Sequence, residues 1–210
     1  MGRKRKYLKT EIVCVLDKSG SMYSLQHDTI QGFNKFLEEQ KTVKGEANLT
    51  LVLFDTAYRF LYDGVDIKTV APLTVKTYAP DGLTALLDAV GRTIDTVNKR
   101  IQSINLPKDR PDKVIFMIMT DGEENASVEY KLEQVKEKIT KYTGDGWDFI
   151  FLGANIDAFN AGLGLGVRGG NIAQYTATSD GISIVFDGLN RYSTSLRTSA
   201  SVDGWKDTIK

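Results

Sequence analysis

Ile12, Val13, Cys14, Val15 and Leu16 form a continuous apolar run that stops abruptly at Asp17. Such a run, mostly β-branched or aliphatic, suits a strand buried on both faces of a parallel sheet. Ser19 and Ser21 follow Asp17 at alternate positions, with Gly20 between them to let the backbone turn sharply. One carboxylate and two hydroxyls are thereby set at the carboxyl end of a central strand, where open α/β sheets place their ligands. All three are hard oxygen donors that suit Mg²⁺, Mn²⁺ or Ca²⁺.

Residues 113–119 contain a second fully apolar run, closed by Thr120, Asp121 and Gly122. In a parallel sheet this puts a second carboxylate on the same edge as Asp17. Residues 49–54 and 147–152 read as further strands, and residues 171–175 as a short edge strand. Residues 58–62 alternate large apolar and polar side chains and are separated from the preceding strand by too few residues to hold a crossover helix. The two should be antiparallel neighbours, with Asp63-Gly64 ending the second at a sheet edge. Helical spacing of apolar residues marks residues 25–40, the stripe Leu86, Leu87, Val90, Ile94, Val97 and Ile101, then residues 128–142, 157–161 and 182–196. Residues 65–80 lack a pattern and read as loop with a helical turn near residues 67–70. The sum is an α/β fold, a doubly wound, open, mostly parallel sheet with one antiparallel edge strand.

The 210 residues are enough for one such domain, expected over residues 9–198, between a basic tail at residues 1–8 and a C-terminal tail at residues 199–210. Lysine plus arginine and aspartate plus glutamate both number 27, so no overall charge steers the chain to nucleic acid or an anionic membrane. Arg3, Lys4, Arg5 and Lys6 are the one local excess and read as a solvated end. No signal-like or membrane-spanning apolar stretch follows them, and Lys6 stands where a myristoylation signal needs Ser or Thr. The lone cysteine, Cys14, reads as a small buried hydrophobe, and with the missing signal it points to a reducing, cytoplasmic setting.

Asp17, Ser19 and Ser21, then Thr84 within Gly82-Leu83-Thr84-Ala85-Leu86, then Asp121 within Thr120-Asp121-Gly122 resemble the von Willebrand factor A domain and its metal-ion-dependent adhesion site. The family pattern is D-x-S-x-S on a first loop, Thr on a second and Asp on a third. The resemblance spans residues 8–196, and Gly153-Ala154-Asn155 with the apolar last helix is similar to small cytoplasmic bacterial and phage members, the tellurite-resistance group among them. It implies a Rossmann-like fold in which Ser19 and Ser21 bind the ion directly while Asp17, Thr84 and Asp121 complete or orient the shell. It implies Mg²⁺ or Mn²⁺ ahead of Ca²⁺, and a protein partner whose Asp or Glu closes the octahedron; the balanced charge and the lack of a long apolar stretch add the expectation of no nucleic acid and no membrane, and a non-enzyme is expected.

Other readings of the same residues stand beside this one. Asp17, Ser19, Thr84 and Asp121 each precede an expected helix and are of the types that cap helix N-termini. Glu123, Glu124 and Asn125 read as helix-start residues or as part of a recognition rim. A metal-dependent phosphohydrolase would use Asp17 as nucleophile, but the acid expected two residues on is Ser19, and no lysine motif steadies a phosphoryl group. A structural subunit with an unused site is the remaining alternative. Gly162, Gly164, Gly166, Gly169 and Gly170 lie late and at the wrong spacing for a phosphate loop, and His27 lacks partners for a zinc site.

Overall fold

The computed structural model describes residues 7–200, 202–207 and 209; Arg3, Lys4, Arg5 and Lys6 lie outside the described residues. The two apolar runs become neighbouring strands at the centre of a six-stranded sheet, β1 (Thr10–Asp17) and β4 (Lys113–Thr120). The others are β2 (Ala47–Phe54), β3 (Tyr58–Asp66), β5 (Trp147–Gly153) and β6 (Ile172–Gln174), in the order β3-β2-β1-β4-β5-β6. All pairs are parallel except β2 with β3.

Among the described residues five α-helices cover the sheet: α1 (Gln26–Thr42), α2 (Leu86–Ser103), α3 (Leu132–Gly144), α4 (Ala158–Gly164) and α5 (Ser179–Arg197). Strand residues alternate between two cores, as the period of two requires. Ile12, Cys14 and Leu16 pack with Phe33, Phe36 and Leu37 of α1 and Val185, Phe186 and Leu189 of α5. Val13 and Val15 pack on the opposite face with Val90, Ile94 and Val97 of α2 and Val135 and Ile139 of α3. Cys14 is 2% exposed within the first core. The chain therefore leaves β1 toward one face and β4 toward the other, which opens a crevice between their carboxyl ends at the point where strand order reverses.

Two elements depart from the sequence expectation. β3 does not end at Asp63-Gly64 but runs on to Asp66, with register irregularities opposite Leu49 and Leu51. The segment is tied down rather than released: Arg100 Nε donates to Asp63 Oδ1 at 2.9 Å, and Gly64 N donates to Thr50 Oγ1 at 3.0 Å. The same guanidinium reaches buried Glu11 at 2.8 Å. The second departure is α3, which starts at Leu132 rather than residue 128, because Val128, Glu129 and Tyr130 donate their N–H groups to the carboxylate of Asp88 at 2.8–2.9 Å. That arrangement holds them in an extended turn instead of a first helical turn. Beyond α5, Trp205 is 6% exposed and packs on Tyr192 with ring centroids 5.2 Å apart. No helix among the described residues is long and apolar enough to cross a membrane.

Candidate metal centre

The crevice between β1 and β4 collects the five residues singled out in the sequence. Asp17, the last residue of β1 and 1% exposed, accepts the Ser19 N–H on Oδ1 at 2.6 Å and the Thr120 hydroxyl on Oδ2 at 2.6 Å. The carboxylate thus staples the first loop to the end of β4. Ser19 Oγ lies 3.1 Å from Ser21 Oγ, and Ser21 Oγ donates to Asp121 Oδ1 at 2.5 Å. Thr84 meets the group across Gly122, where a methyl group would sit 3.2 Å from Thr84 Oγ1 and 3.6 Å from Ser21 Oγ. A side chain at residue 122 would crowd the Thr84 and Ser21 hydroxyls, which glycine leaves clear.

The second loop is held in place through its backbone. Gly20 N donates to Gly82 O at 3.0 Å and Asp81 N to Lys18 O at 2.8 Å. Gly82 turns through a positive φ of 71°, and Leu83 N then reaches Thr56 Oγ1 at 2.8 Å. Thr84 is clamped on both sides by Asn125, whose Oδ1 accepts from Thr84 N at 2.9 Å and whose N donates to Thr84 O at 3.1 Å.

These contacts correct the capping alternatives. The N-cap of α2 is Ala85, so the Thr84 hydroxyl is not spent on that helix. Ser19 stands at the N-cap position of a short 3-10 helix (Gly20–Leu25) without a side-chain capping bond, and Asp121 lies well before α3. Glu124 does serve a helix start, though of α2: its carboxylate accepts from Leu87 N at 2.9 Å and from Ala126 N and Ser127 N at 2.9 and 2.7 Å.

Burial pushes the Asp17 carboxyl up to about 6, against the lowering effect of bonds from Thr120 and Ser19, and the neighbouring Asp121 adds to the rise. Asp121 is raised in the same direction, chiefly by burial, with the Ser21 hydroxyl opposing. The basic side chain on this loop does not relieve them, since Lys18 pairs with buried Asp55 at the end of β2. Two buried acids therefore face three hydroxyls with no ion pair to either acid among the described residues. Hard, mostly neutral oxygen donors with two compensating carboxylates suit a small divalent cation. Among the described residues no group of three or more His, Cys, Asp or Glu side chains could hold a metal ion, so any cation here would rest on hydroxyls and two carboxylates.

Two tyrosines outside the sequence motif floor this crevice. Tyr78, fully buried, donates its hydroxyl to Asp17 O at 2.5 Å, and Tyr175 reaches Thr120 O at 3.4 Å. Thr120 itself carried a signal, being a polar residue at the end of an apolar run beside Asp121. Tyr78 carried none, because residues 65–80 show no periodicity.

No protein-family model and no curated protein matches this sequence. Solved structures do share its fold. The vWF domain of the type V pili tip protein Mfa5 from Porphyromonas gingivalis superposes with a TM-score of 0.65 at 12% identity, over 91% of this chain and 97% of that one. The fold is that of a von Willebrand factor A domain. Proximal thread matrix protein 1 from the mussel byssus, in a form with a zinc-occupied MIDAS motif, shares this A-domain fold with a TM-score of 0.58 at 15% identity, over 90% of this chain but 46% of its own. Manganese-loaded TRAP protein of Plasmodium vivax gives 0.52 at 20% identity, over 76% of this chain and 63% of its own. The chain thus spans about half the length of the mussel protein and under two thirds of the parasite one.

Proposed function

We propose that this chain is a metal-dependent protein-binding module. The observation that carries the reading is the convergence of Asp17, Ser19, Ser21, Thr84 and Asp121 from three loops into one crevice whose two acids have no cationic partner among the described residues. Ser19, Ser21 and Thr84 would hold Mg²⁺ or Mn²⁺, with Ca²⁺ the weaker fit, and Asp121 beside Ser21 balances charge. Asp17 positions the first loop through the Ser19 N–H and fixes its distance from β4 through Thr120. A divalent ion bound mainly by neutral hydroxyls retains enough electrophilicity to take a carboxylate from another molecule. The chain's part is then to leave that approach open, which exposed Ser21 and Gly82 on the rim permit, so that a partner's Asp or Glu completes the shell. The metals named for two of the A-domain structures agree with this class of ion.

The reading is of a non-catalytic protein acting in the cytoplasm. Asp17 is locked by two hydrogen bonds and buried, a poor position for a nucleophile that must swing toward phosphorus. Calorimetric titration with Mg²⁺ and Mn²⁺ tests it: heat of binding in the wild type, lost in Ser19→Ala and Asp17→Ala, is expected, and equal heats in all three proteins would sink it. An affinity capture run with and without EDTA then reports whether the partner depends on the ion.

A further inference from the structure

A cleft of about 440 Å³ opens immediately beside the metal rim. Leu87, Leu132, Ile156 and Leu165 line it, and on the side toward the site its border is Gly122 and Glu123. Gly122 belongs to both places, since its missing Cβ faces Thr84 and Ser21. The two are one surface, separated by the width of a single residue. Leu132 is 42% exposed and belongs to neither core, so the fold does not account for its apolar side chain. On the first and second loops Tyr23 and Leu83 are 75% and 56% exposed. Exposed apolar side chains on the loops around a polar centre mark an interaction face.

Charge narrows the occupant. Glu124 is consumed by backbone N–H groups and Asp157 by Asn160, whereas Glu123 is exposed and makes no hydrogen bond or ion pair among the described residues. It is the free negative group at the junction of rim and cleft. A purely acidic ligand would be repelled there.

We infer that the module reads an extended segment with three features: an Asp or Glu for the rim, a leucine-sized aliphatic side chain for the cleft, and a Lys or Arg opposite Glu123. This rests on the metal-dependent reading above and adds the sequence chemistry of the partner. In an extended segment alternate side chains lie on one side, about 6.5–7 Å apart, so the acid and the aliphatic residue are expected two positions apart.

Selection of a random displayed-peptide library on the immobilised protein in Mg²⁺ tests this directly. Peptides enriched with Mg²⁺ and lost with EDTA should pair an acid with an aliphatic residue two positions away and a basic residue close by. Leu132→Glu places a charge at an exposed helix start where negative charge is tolerated, and Gly164→Leu fills the cleft from a position whose Cβ meets nothing within 4 Å. Both variants should keep the wild-type Mg²⁺ isotherm while weakening the selected peptides about tenfold or more. Glu123→Gln should remove the basic preference alone. Acid-only enrichment, or cleft variants that bind the selected peptides as wild type does, would overturn the cleft assignment and leave the metal reading intact. No Mg²⁺-dependent enrichment of acidic peptides would overturn both.

Discussion

The Tyr78 hydroxyl donates to the backbone carbonyl of Asp17 at 2.5 Å, beneath the loop that carries Ser19 and Ser21. The bond anchors the last peptide of β1 to a stretch of chain with no regular structure. Tyr78→Phe keeps the ring and removes the hydroxyl that makes this bond. It is expected to cost about 1–2 kcal/mol in denaturant unfolding and to weaken Mg²⁺ several-fold by calorimetry; unchanged Mg²⁺ affinity would mean that the loop holds its shape without the phenol.

Gly122→Ala places a methyl 3.2 Å from Thr84 Oγ1 and 3.6 Å from Ser21 Oγ. The space taken is the space between donors. Mg²⁺ affinity should drop about tenfold or more, with unfolding free energy changed by less than about 1 kcal/mol.

Stability of the protein in EDTA should fall as pH rises. Asp17 titrates near 6 in the fold against an ordinary 3.8, so between these values the folded state retains a proton that the unfolded chain has lost. Stability is therefore greatest below that window and declines through it, by on the order of 3 kcal/mol. Thermal melts in EDTA from about pH 4 to about pH 7 measure the slope. Asp17→Asn should flatten it.

Asp88 accepts three backbone N–H groups from residues 128–130 while buried in the first turn of α2. Asp88→Ala strands all three donors and should destabilise by about 2–3 kcal/mol. Because the same loop carries Asn125, which clamps Thr84, the variant should also bind Mg²⁺ more weakly. A stability loss with wild-type Mg²⁺ affinity would separate the loop from the site.

The features legible in the sequence were those set by local burial. β1 and β4 show as unbroken apolar runs because both faces of each are covered, and α2 shows as a stripe because one face is. The short link through Thr56 and Ala57 fixed the antiparallel pairing of β2 and β3. Asp17, Ser19, Ser21 and Asp121 were readable as oxygen donors where two apolar strands stop, Thr84 joined them through the family resemblance, and the fold does bring the five together. What escaped depends on partners distant along the chain. The late start of α3 is dictated by Asp88, some forty residues earlier, and the length of β3 by Arg100. Neither carboxylate nor guanidinium announces its target. Tyr78 and Tyr175 support the site from segments with no local pattern, and the burial of Trp205 depends on Tyr192 and on Gly170 O, which accepts its indole N–H at 3.1 Å.

The pairing of Lys18 with Asp55 bears on the order of events. With that ammonium committed to the side of the loop, Asp17, Ser19, Ser21, Thr84 and Asp121 present only negative and neutral groups. Under the proposed function an acidic partner arriving before the cation would be repelled, so loading would come first and docking second.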